Sequence, residues 1–363
     1  MTFDNMHRIA ADDPGDPVSG HVVWAPLKSL GITAMYAATL VGCVWFLRLD
    51  AVMVGLVKTL LVLLLGHSVG MHRRLIHRSF TCPKWLDYAL VYMGSLVGLG
   101  GPFSLIRTHD LRDWAQRQPA CHDYLAHRRP PLIDYLWQVH CRLKLDRPPA
   151  IRIEAKVADD PLYRLMENPF LVHLPWAMAF YLAGGWAWVI WGVCAQVAAT
   201  TTGHWLIGWF AHQQHDDDWQ VRGAGVQGRN ITSFTRSGAV QAPRISSSGH
   251  LPLPSQSKRI DWLGESLGWL TMGESWHNNH HAFPGSARLG LYEGQSDPGY
   301  RFIKMLEALG LVSNIRLPHD LPQRTQLQWS GDEPRPLMKP DLRLCPTLTA
   351  IRRLTTRSAD TGA

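Results

Sequence analysis

The chain has 363 residues, of which 46% are apolar and only 18% are charged, and its formal net charge is +7. This composition excludes a disordered chain, and the six scattered cysteines exclude a small disulfide scaffold. The mean hydropathy of −0.09 is typical of a soluble protein. That average hides strong clustering, because the apolar residues fall into a few long runs.

Residues 1–23 form a polar N-terminal segment without the features of a cleavable signal peptide. Two apolar runs follow, Trp24 to Phe46 and Ala51 to Met71, and each is long enough for a bilayer span of about 20 residues. The short link Leu47 to Asp50 predicts that they form a helical hairpin. Lys58 interrupts the second run, so we expect it to snorkel to an interface or to face the protein interior.

A second pair of apolar runs, Phe170 to Ala183 and Trp186 to Ile207, is joined by the turn residues Gly184 and Gly185. The stretch Tyr88 to Ile106 is apolar but rich in glycine, and it predicts an interfacial or partly buried helix. A soluble helical core would explain any one of these runs but explains the set poorly. The sequence therefore predicts an all-α membrane protein whose four transmembrane helices form two hairpins.

Charge predicts the orientation in the membrane. The two tight loops hold one basic residue, Arg48, whereas the long segments on the other side are rich in arginine, including Arg73, Arg74, Arg78, Arg107, Arg112, Arg117, Arg128 and Arg129. Because basic residues mark the cytoplasmic side, we expect both termini and a helical cap carrying the active site to be cytoplasmic. This orientation and contact with anionic lipid explain the positive charge without nucleic acid, for which the chain has no motif.

The domain organisation follows from these runs. We expect one membrane domain with its cap at residues 24–316. Within it, residues 237–259 read as a loop insertion rich in serine and proline. Residues 317–363 form a tail rich in proline and arginine, which we expect to be loosely ordered.

The eighteen histidines are not evenly spread. His277, His280 and His281 have offsets of three and four, which predicts one helical face, and neutral imidazole is a common ligand for iron, copper and zinc. The alternative is a surface histidine cluster. His72 and His77 are five apart, which on a regular helix separates them by roughly 140° at about 100° per residue. Either the helix ends between them, or they serve two metals.

These segments resemble a known family. Gly70-Met71-His72-Arg73-Arg74-Leu75-Ile76-His77 resembles the first histidine box of the membrane-bound fatty acyl desaturases of the acyl-CoA type. The segment from Gly273-Glu274 through His277, His280 and His281 to Phe283-Pro284 resembles their third box. The stretch His204 to His212 resembles the helix that gives the family a further ligand, which here would be His212.

The resemblance implies an O₂-dependent oxidoreductase that introduces a C=C bond into a fatty acyl chain while O₂ is reduced to water. Two Fe²⁺ ions would be held at a histidine-rich site, with electrons from NAD(P)H arriving through a carrier. Acid–base catalysis cannot remove hydrogen from an unactivated methylene, so a redox metal and O₂ suit this chemistry. The implied metal ligands are His72, His77, His109, His212, His277, His280 and His281.

The second box departs from the family pattern. The family has His-x-x-His-His, whereas this chain has His109, Arg112 and Asp113 at those positions. A carboxylate can bind iron, so we hypothesise that Asp113 replaces one imidazole, the alternative being a solvated helix face. Arg112 has only donors and cannot bind a metal, but it could pair with a carboxylate or a substrate anion. Gly208 stands where the family often has an asparagine in an outer role, which glycine cannot fill. Histidines that could take outer roles instead, or that are simply structural, are His67, His122, His127, His204 and His215.

The expected partners are a fatty acyl substrate, carried as acyl-CoA or acyl-lipid, and the lipid bilayer. Arg107 is a candidate contact for an anionic headgroup or a coenzyme A phosphate. The chain contains no haem or iron–sulfur motif, which predicts a separate electron donor that is ferredoxin-like or cytochrome-like. Two alternatives remain, a lipid hydroxylase with the same histidine boxes and a non-enzymatic membrane protein that binds metal.

Overall fold

The computed structural model describes residues 7–213, 219–232 and 262–330. This part of the chain is mostly helical, with two small antiparallel sheets. The longer helices are α1 Pro26–Trp45, α2 Leu49–Ile76, α3 Lys84–Ser95, α4 Pro102–Gln116, α6 Pro131–His140, α9 Pro169–Ala211, α10 Trp262–Leu270 and α12 Pro298–Ala308. The short helices are α5 Asp123–Ala126, α7 Ala155–Ala158, α8 Pro161–Met166 and α11 His277–Ala282, and a 3₁₀ turn spans Pro318–Asp320. The strands are β1 Gly20–Trp24, β2 Cys141–Leu145, β3 Trp219–Val221 and β4 Leu327–Trp329.

Helices α1, α2 and α9 are long and apolar enough to cross a membrane, by length and composition. Large apolar side chains on them point outward, for example Trp45 at 79% exposure and Leu182 at 83%. Such an apolar surface suits contact with lipid tails and not with water. Helix α9 is interrupted at Gly185, whose backbone angles of φ 67° and ψ −160° are not helical. The kink falls on the turn that the sequence predicted.

The second half of α2, Val62–Ile76, is wound as a π-helix. Its hydrogen bonds run from one residue to the fifth before it, as in the 3.0 Å bond from the His77 amide to the His72 carbonyl. Helix α3 packs closely against this segment. A Cβ atom at Gly66 would lie 2.4 Å from the Met93 carbonyl, and one at Gly70 would lie 2.3 Å from the Leu90 carbonyl oxygen. Both glycines are therefore required for backbone-to-backbone packing.

Lys58 faces the protein interior, which is one of its two predicted positions. Its Nζ donates to the Gly192 carbonyl and to Oε1 of Gln196, at 2.8 Å each, and its side chain is buried. These bonds satisfy the cation inside an apolar helix pair and join α2 to α9.

The sequence suggested a single helix over the stretch Tyr88 to Ile106, but the structure has two helices there. Helix α3 ends at Ser95 and α4 begins at Pro102. Gly98 and Gly100 between them adopt positive φ angles of 88° and 121°, which a helix cannot contain. The break redirects the chain so that α4 carries the second histidine box across the end of α2.

The terminal segments pack further into the fold than their composition indicates. Strand β1 pairs with β2, and buried Arg8 donates to the carbonyls of Leu75 and Ile76 at the end of α2. Strand β4, inside the segment expected to be loose, pairs with β3. The expected boundaries at residues 23 and 317 thus cut through packed structure. The predicted insertion 237–259 and the chain from residue 331 lie outside the described residues.

Candidate metal centre

Four histidines from distant parts of the chain meet at the end of α2. His72 and His77 come from the π-wound segment and its C-cap, His109 from α4 and His280 from α11. One ring nitrogen from each lies within 4.8 Å of all the others. The His72 ring centroid lies 4.8 Å from that of His77 and 4.6 Å from that of His280. We call these four residues the first group.

The π winding explains how His72 and His77 face one point. Helix α2 ends at Ile76 and His77 is its C-cap, so the helix ends between the two histidines, which was one of the two expected alternatives. A regular α-helix would place residues five apart on different sides. The π winding turns through a smaller angle per residue, and so it brings residues five apart closer to one face.

A second group consists of His212, His277 and His281. Nε2 of His277 lies 3.2 Å from Nε2 of His212 and 3.1 Å from Nε2 of His281. Nδ1 of His212 lies 2.6 Å from the Gly208 carbonyl oxygen, to which it donates. This bond keeps the proton on Nδ1 and leaves the Nε2 lone pair directed at the other two rings.

Helix α11 lies between the two groups and contributes to both. His277 and His281 belong to the second group, whereas His280 belongs to the first. The spacing predicted that these three histidines share one helical face, and in the structure they divide between the two groups. Asparagine side chains fix the helix: Asn278 Nδ2 donates to the Gly228 carbonyl, and Asn279 Nδ2 donates to the Leu289 carbonyl.

A buried polar network supports the first group from behind. Nδ1 of His72 lies 2.6 Å from Oε2 of Glu274, so Nε2 of the same ring points away from the carboxylate. Arg73 contacts Oε1 of Glu274 at 3.1 Å and Oδ1 of Asp297 at 2.9 Å. Burial acts to raise the pKa of Glu274, but His72 and Arg73 hold it below its usual range. The sequence did not predict this network, although Glu274 flanks the third box.

Burial keeps the imidazoles neutral. It lowers the pKa of His77, His212, His277 and His280 well below the usual value, and that of His281 to about 4. Their unprotonated nitrogens are therefore available at neutral pH.

The residues fit a metal. Several buried ring nitrogens of the first group have no hydrogen-bond partner, namely Nε2 of His77, Nδ1 of His109 and Nδ1 of His280. Such atoms are costly unless a ligand satisfies them. Imidazole sets of this kind suit iron, copper or zinc.

A cavity of about 110 Å³ lies between the two groups. Histidines of both groups line it together with apolar side chains, among them Met71, Ile76 and Leu105. It can hold an apolar group against the imidazoles.

Asp113, Arg112 and Arg107 differ in their positions. Asp113 lines the cavity, but its Oδ2 lies 2.7 Å from Nη1 of Arg117, and it belongs to neither converging group. Burial acts to raise the pKa of Asp113, whereas Arg117 holds it well below its usual range. Arg112 also lines the cavity, and its Nη2 donates to Gln138 at 2.8 Å. Arg107 is exposed.

The other histidines considered for outer roles are also placed. The ring of His67 stands edge-on to that of His204, with centroids 5.0 Å apart, and both line the cavity. His122 caps α5, its Nδ1 accepting from the Tyr124 amide. His127 is buried beside His212. His215 lies outside the described residues.

Comparison with known proteins points to a family. The chain is 29% identical over 255 residues to an sn-1 stearoyl-lipid 9-desaturase of Anabaena variabilis, covering 70% of this chain and 79% of that protein. It is 28% identical over 266 residues to an acyl-CoA C20 Delta5-desaturase of Anemone leveillei, covering 71% and 72%. These similarities support a fatty acid desaturase family for the chain. A palmitoyl-monogalactosyldiacylglycerol delta-7 desaturase of Arabidopsis thaliana is 27% identical over 278 residues, covering 74% and 62%.

No protein-family model matches the chain. The similarity to desaturases supports an oxidoreductase of lipid metabolism. The two histidine groups are consistent with iron, and the apolar helices α1, α2 and α9 are consistent with a membrane protein.

Proposed function

We propose that this protein introduces a double bond into a fatty acyl chain, using O₂ and electrons from NAD(P)H passed through a separate carrier. The observation that carries the proposal is the pair of buried histidine groups on one cavity, in a chain similar to desaturases of acyl-lipids and acyl-CoA. Two irons would let O₂ act as the oxidant: the two hydrogens removed from neighbouring methylenes, together with two electrons and two protons, reduce one O₂ to two waters.

In this proposal the first iron is held by His72, His77, His109 and His280, and the second by His212, His277 and His281. The protein's own contribution is to hold these rings in position. Glu274 fixes the ring of His72, and the Gly208 carbonyl fixes that of His212. The apolar side chains of the cavity wall, Met71, Ile76, Leu105 and Ile207, would pack against the reacting part of the acyl chain.

We further propose four membrane spans, two of them within α9. The support is the non-helical Gly185, which divides the 43 residues of α9 into two apolar helices. Span ends and cap would then enclose the site on the cytoplasmic side, where basic residues concentrate. The basic surface suits an acidic electron donor, ferredoxin-like or cytochrome-like. Arg107, exposed on α4, remains the candidate contact for an anionic headgroup or coenzyme A.

The proposal that Asp113 is a further iron ligand has its own test. Replacing Asp113→Ala should lower the iron content by one atom per chain if its carboxylate binds metal. Arg117→Ala is the matched control, because it removes the 2.7 Å ion pair and leaves the carboxylate in place. Elemental analysis of the purified proteins measures both. An unchanged two-iron content in Asp113→Ala would eliminate it as a ligand.

The proposed activity is tested by expression with a functional electron donor in a host whose lipids are then profiled. New monounsaturated chains are expected from the wild type and none from His109→Ala. Hydroxylated chains would identify the alternative, a hydroxylase with the same histidine boxes. No change in lipids with a working donor would contradict both activities and favour a metal-binding protein without this chemistry.

A further inference from the structure

His127 lies against the second group and has an unusual backbone. It follows α5 with φ 53°, in the left-handed region that few residues other than glycine adopt, and its side chain is buried. Its ring is stacked on that of His212, with centroids 5.3 Å apart and planes 12° apart. A strained residue held beside a functional site indicates a role there.

The protonation of the His127 ring is set by a buried carboxylate. Nδ1 of His127 lies 2.8 Å from Oδ2 of Asp134, which is fully buried and also accepts from Nε1 of Trp205 at 2.8 Å. Nδ1 therefore carries the proton and donates it to Asp134. Nε2 is left with a free lone pair, and it is buried without a hydrogen-bond partner. A carboxylate behind an imidazole is the arrangement found behind metal-binding histidines.

Gly208 provides the space for this nitrogen. A Cβ atom at position 208 would lie 3.2 Å from Nε2 of His127, so a larger side chain would have to displace the ring. The same glycine accepts the Nδ1 proton of His212 through its carbonyl. The lone pair of His127 and a ligand of the second group are thus positioned around one residue.

Resting on the two-iron centre proposed above, we propose that His127 supplies a further nitrogen donor to the metal of the second group, with Asp134 as its carboxylate partner. The second group has three converging imidazoles where the first has four. Gly208 has no side chain that could reach the metal, and it leaves room for the ring of His127. His127 would then supply the donor atom that position 208 lacks.

The first experiment loads the purified full-length protein with ⁵⁷Fe in detergent and measures iron content and the Mössbauer spectrum. Wild type should hold two irons per chain. His127→Gln should lose one iron or bind it about tenfold to 100-fold more weakly, as is usual when metal-site partners are removed. His122→Gln is the matched control, since it changes the histidine at the other end of α5, which caps that helix and contacts Trp137. It should keep two irons and an unchanged spectrum.

The second experiment exchanges the two positions. Gly208→Asn should displace His127 and weaken the second iron site. The double variant His127→Ala with Gly208→Asn removes the clash, places an amide oxygen near the metal and should recover the second iron. A purely structural role for His127 predicts no recovery. If His127→Gln does not fold, as judged by thermal unfolding of the apoprotein, Asp134→Asn gives the same readout.

Two irons with an unchanged spectrum in His127→Gln would overturn the inference, and so would a double variant that recovers nothing. A wild type without iron would instead contradict the proposed function. A wild type with a single iron that His127→Gln retains would leave the desaturase proposal open to its lipid test and would overturn the role of His127.

Discussion

The two histidine groups share a cavity and a helix, yet they are built differently. The first group gathers four imidazoles from α2, α4 and α11, and a buried network of Glu274, Arg73 and Asp297 supports it. The second group gathers three imidazoles, and the bond that orients His212 comes from the Gly208 carbonyl. A charged side chain, Glu274, thus orients His72 in the first group, whereas a backbone carbonyl orients His212 in the second.

The difference has an energetic consequence. A carboxylate behind a histidine raises its basicity as a ligand, and breaking a buried charge network leaves an unpaired charge inside the protein. Without the contribution proposed for His127 and Asp134, the second group should bind metal more weakly than the first and should be more easily altered.

The largest effect is expected for His280→Ala. It removes one of four ligands from the first group and leaves the second group intact, so iron content should fall from two to one per chain and activity below detection. Iron analysis and lipid profiling measure the two effects. Retention of both irons would contradict the role of His280 as a required ligand of the first group.

Glu274→Gln should have the next largest effect. It keeps the size of the side chain but weakens the bond to His72 and the ion pair with Arg73, so activity should fall about 10-fold to 100-fold. Asp297→Asn is the control, because Asp297 contacts Arg73 without touching His72. Equal losses of activity in the two variants would contradict a specific role of Glu274 in orienting His72.

Gly70→Ala probes the packing beneath the first group. The added Cβ would lie 2.3 Å from the Leu90 carbonyl oxygen, so α2 and α3 must separate, at a cost of about 1–3 kcal/mol in the free energy of unfolding. Gly203→Ala on α9 is the control, since a Cβ there meets no atom within 4 Å. Thermal unfolding measures both, and equal stability would argue against the close packing.

The smallest expected effect is the loss of stability of the apoprotein at acidic pH. Burial lowers the pKa of His281 from 6.5 to about 4, so between these values the unfolded chain binds a proton that the folded apoprotein does not. The contribution of His281 to the stability of the apoprotein is therefore fully present above pH 6.5 and is lost as the pH falls toward 4. The unfolding temperature should drop by roughly a few degrees over this range. A shallower dependence in His281→Gln would support this cause, and an identical slope would contradict it.

The sequence predicted the parts of the centre that local spacing controls. The apolar runs located α1, α2 and α9, and the third box located the histidines of α11. The approach of His77 to His72 could not be foreseen, because a single sequence does not show the π winding of Val62–Ile76. His127 was one of several candidates from its position after the second box, but its approach to Gly208 could not be foreseen, because the two residues are distant in sequence.

The charged network was missed for a similar reason. Glu274 and Asp297 contact Arg73 only because the fold brings the end of α2 against the chain around the third box. A single sequence shows that these residues are charged. It does not show that they share one arginine.

The first group also has a consequence for biosynthesis. Its ligands extend from His72 to His280, and Arg324 donates to the carbonyls of His281 and Ala282 at the end of α11. Metal cannot be captured at this group until almost the whole described chain has left the ribosome. The chain must therefore fold around this group while its imidazoles are still empty. Burial keeps His77 and His280 uncharged, so these two rings do not repel each other in that state.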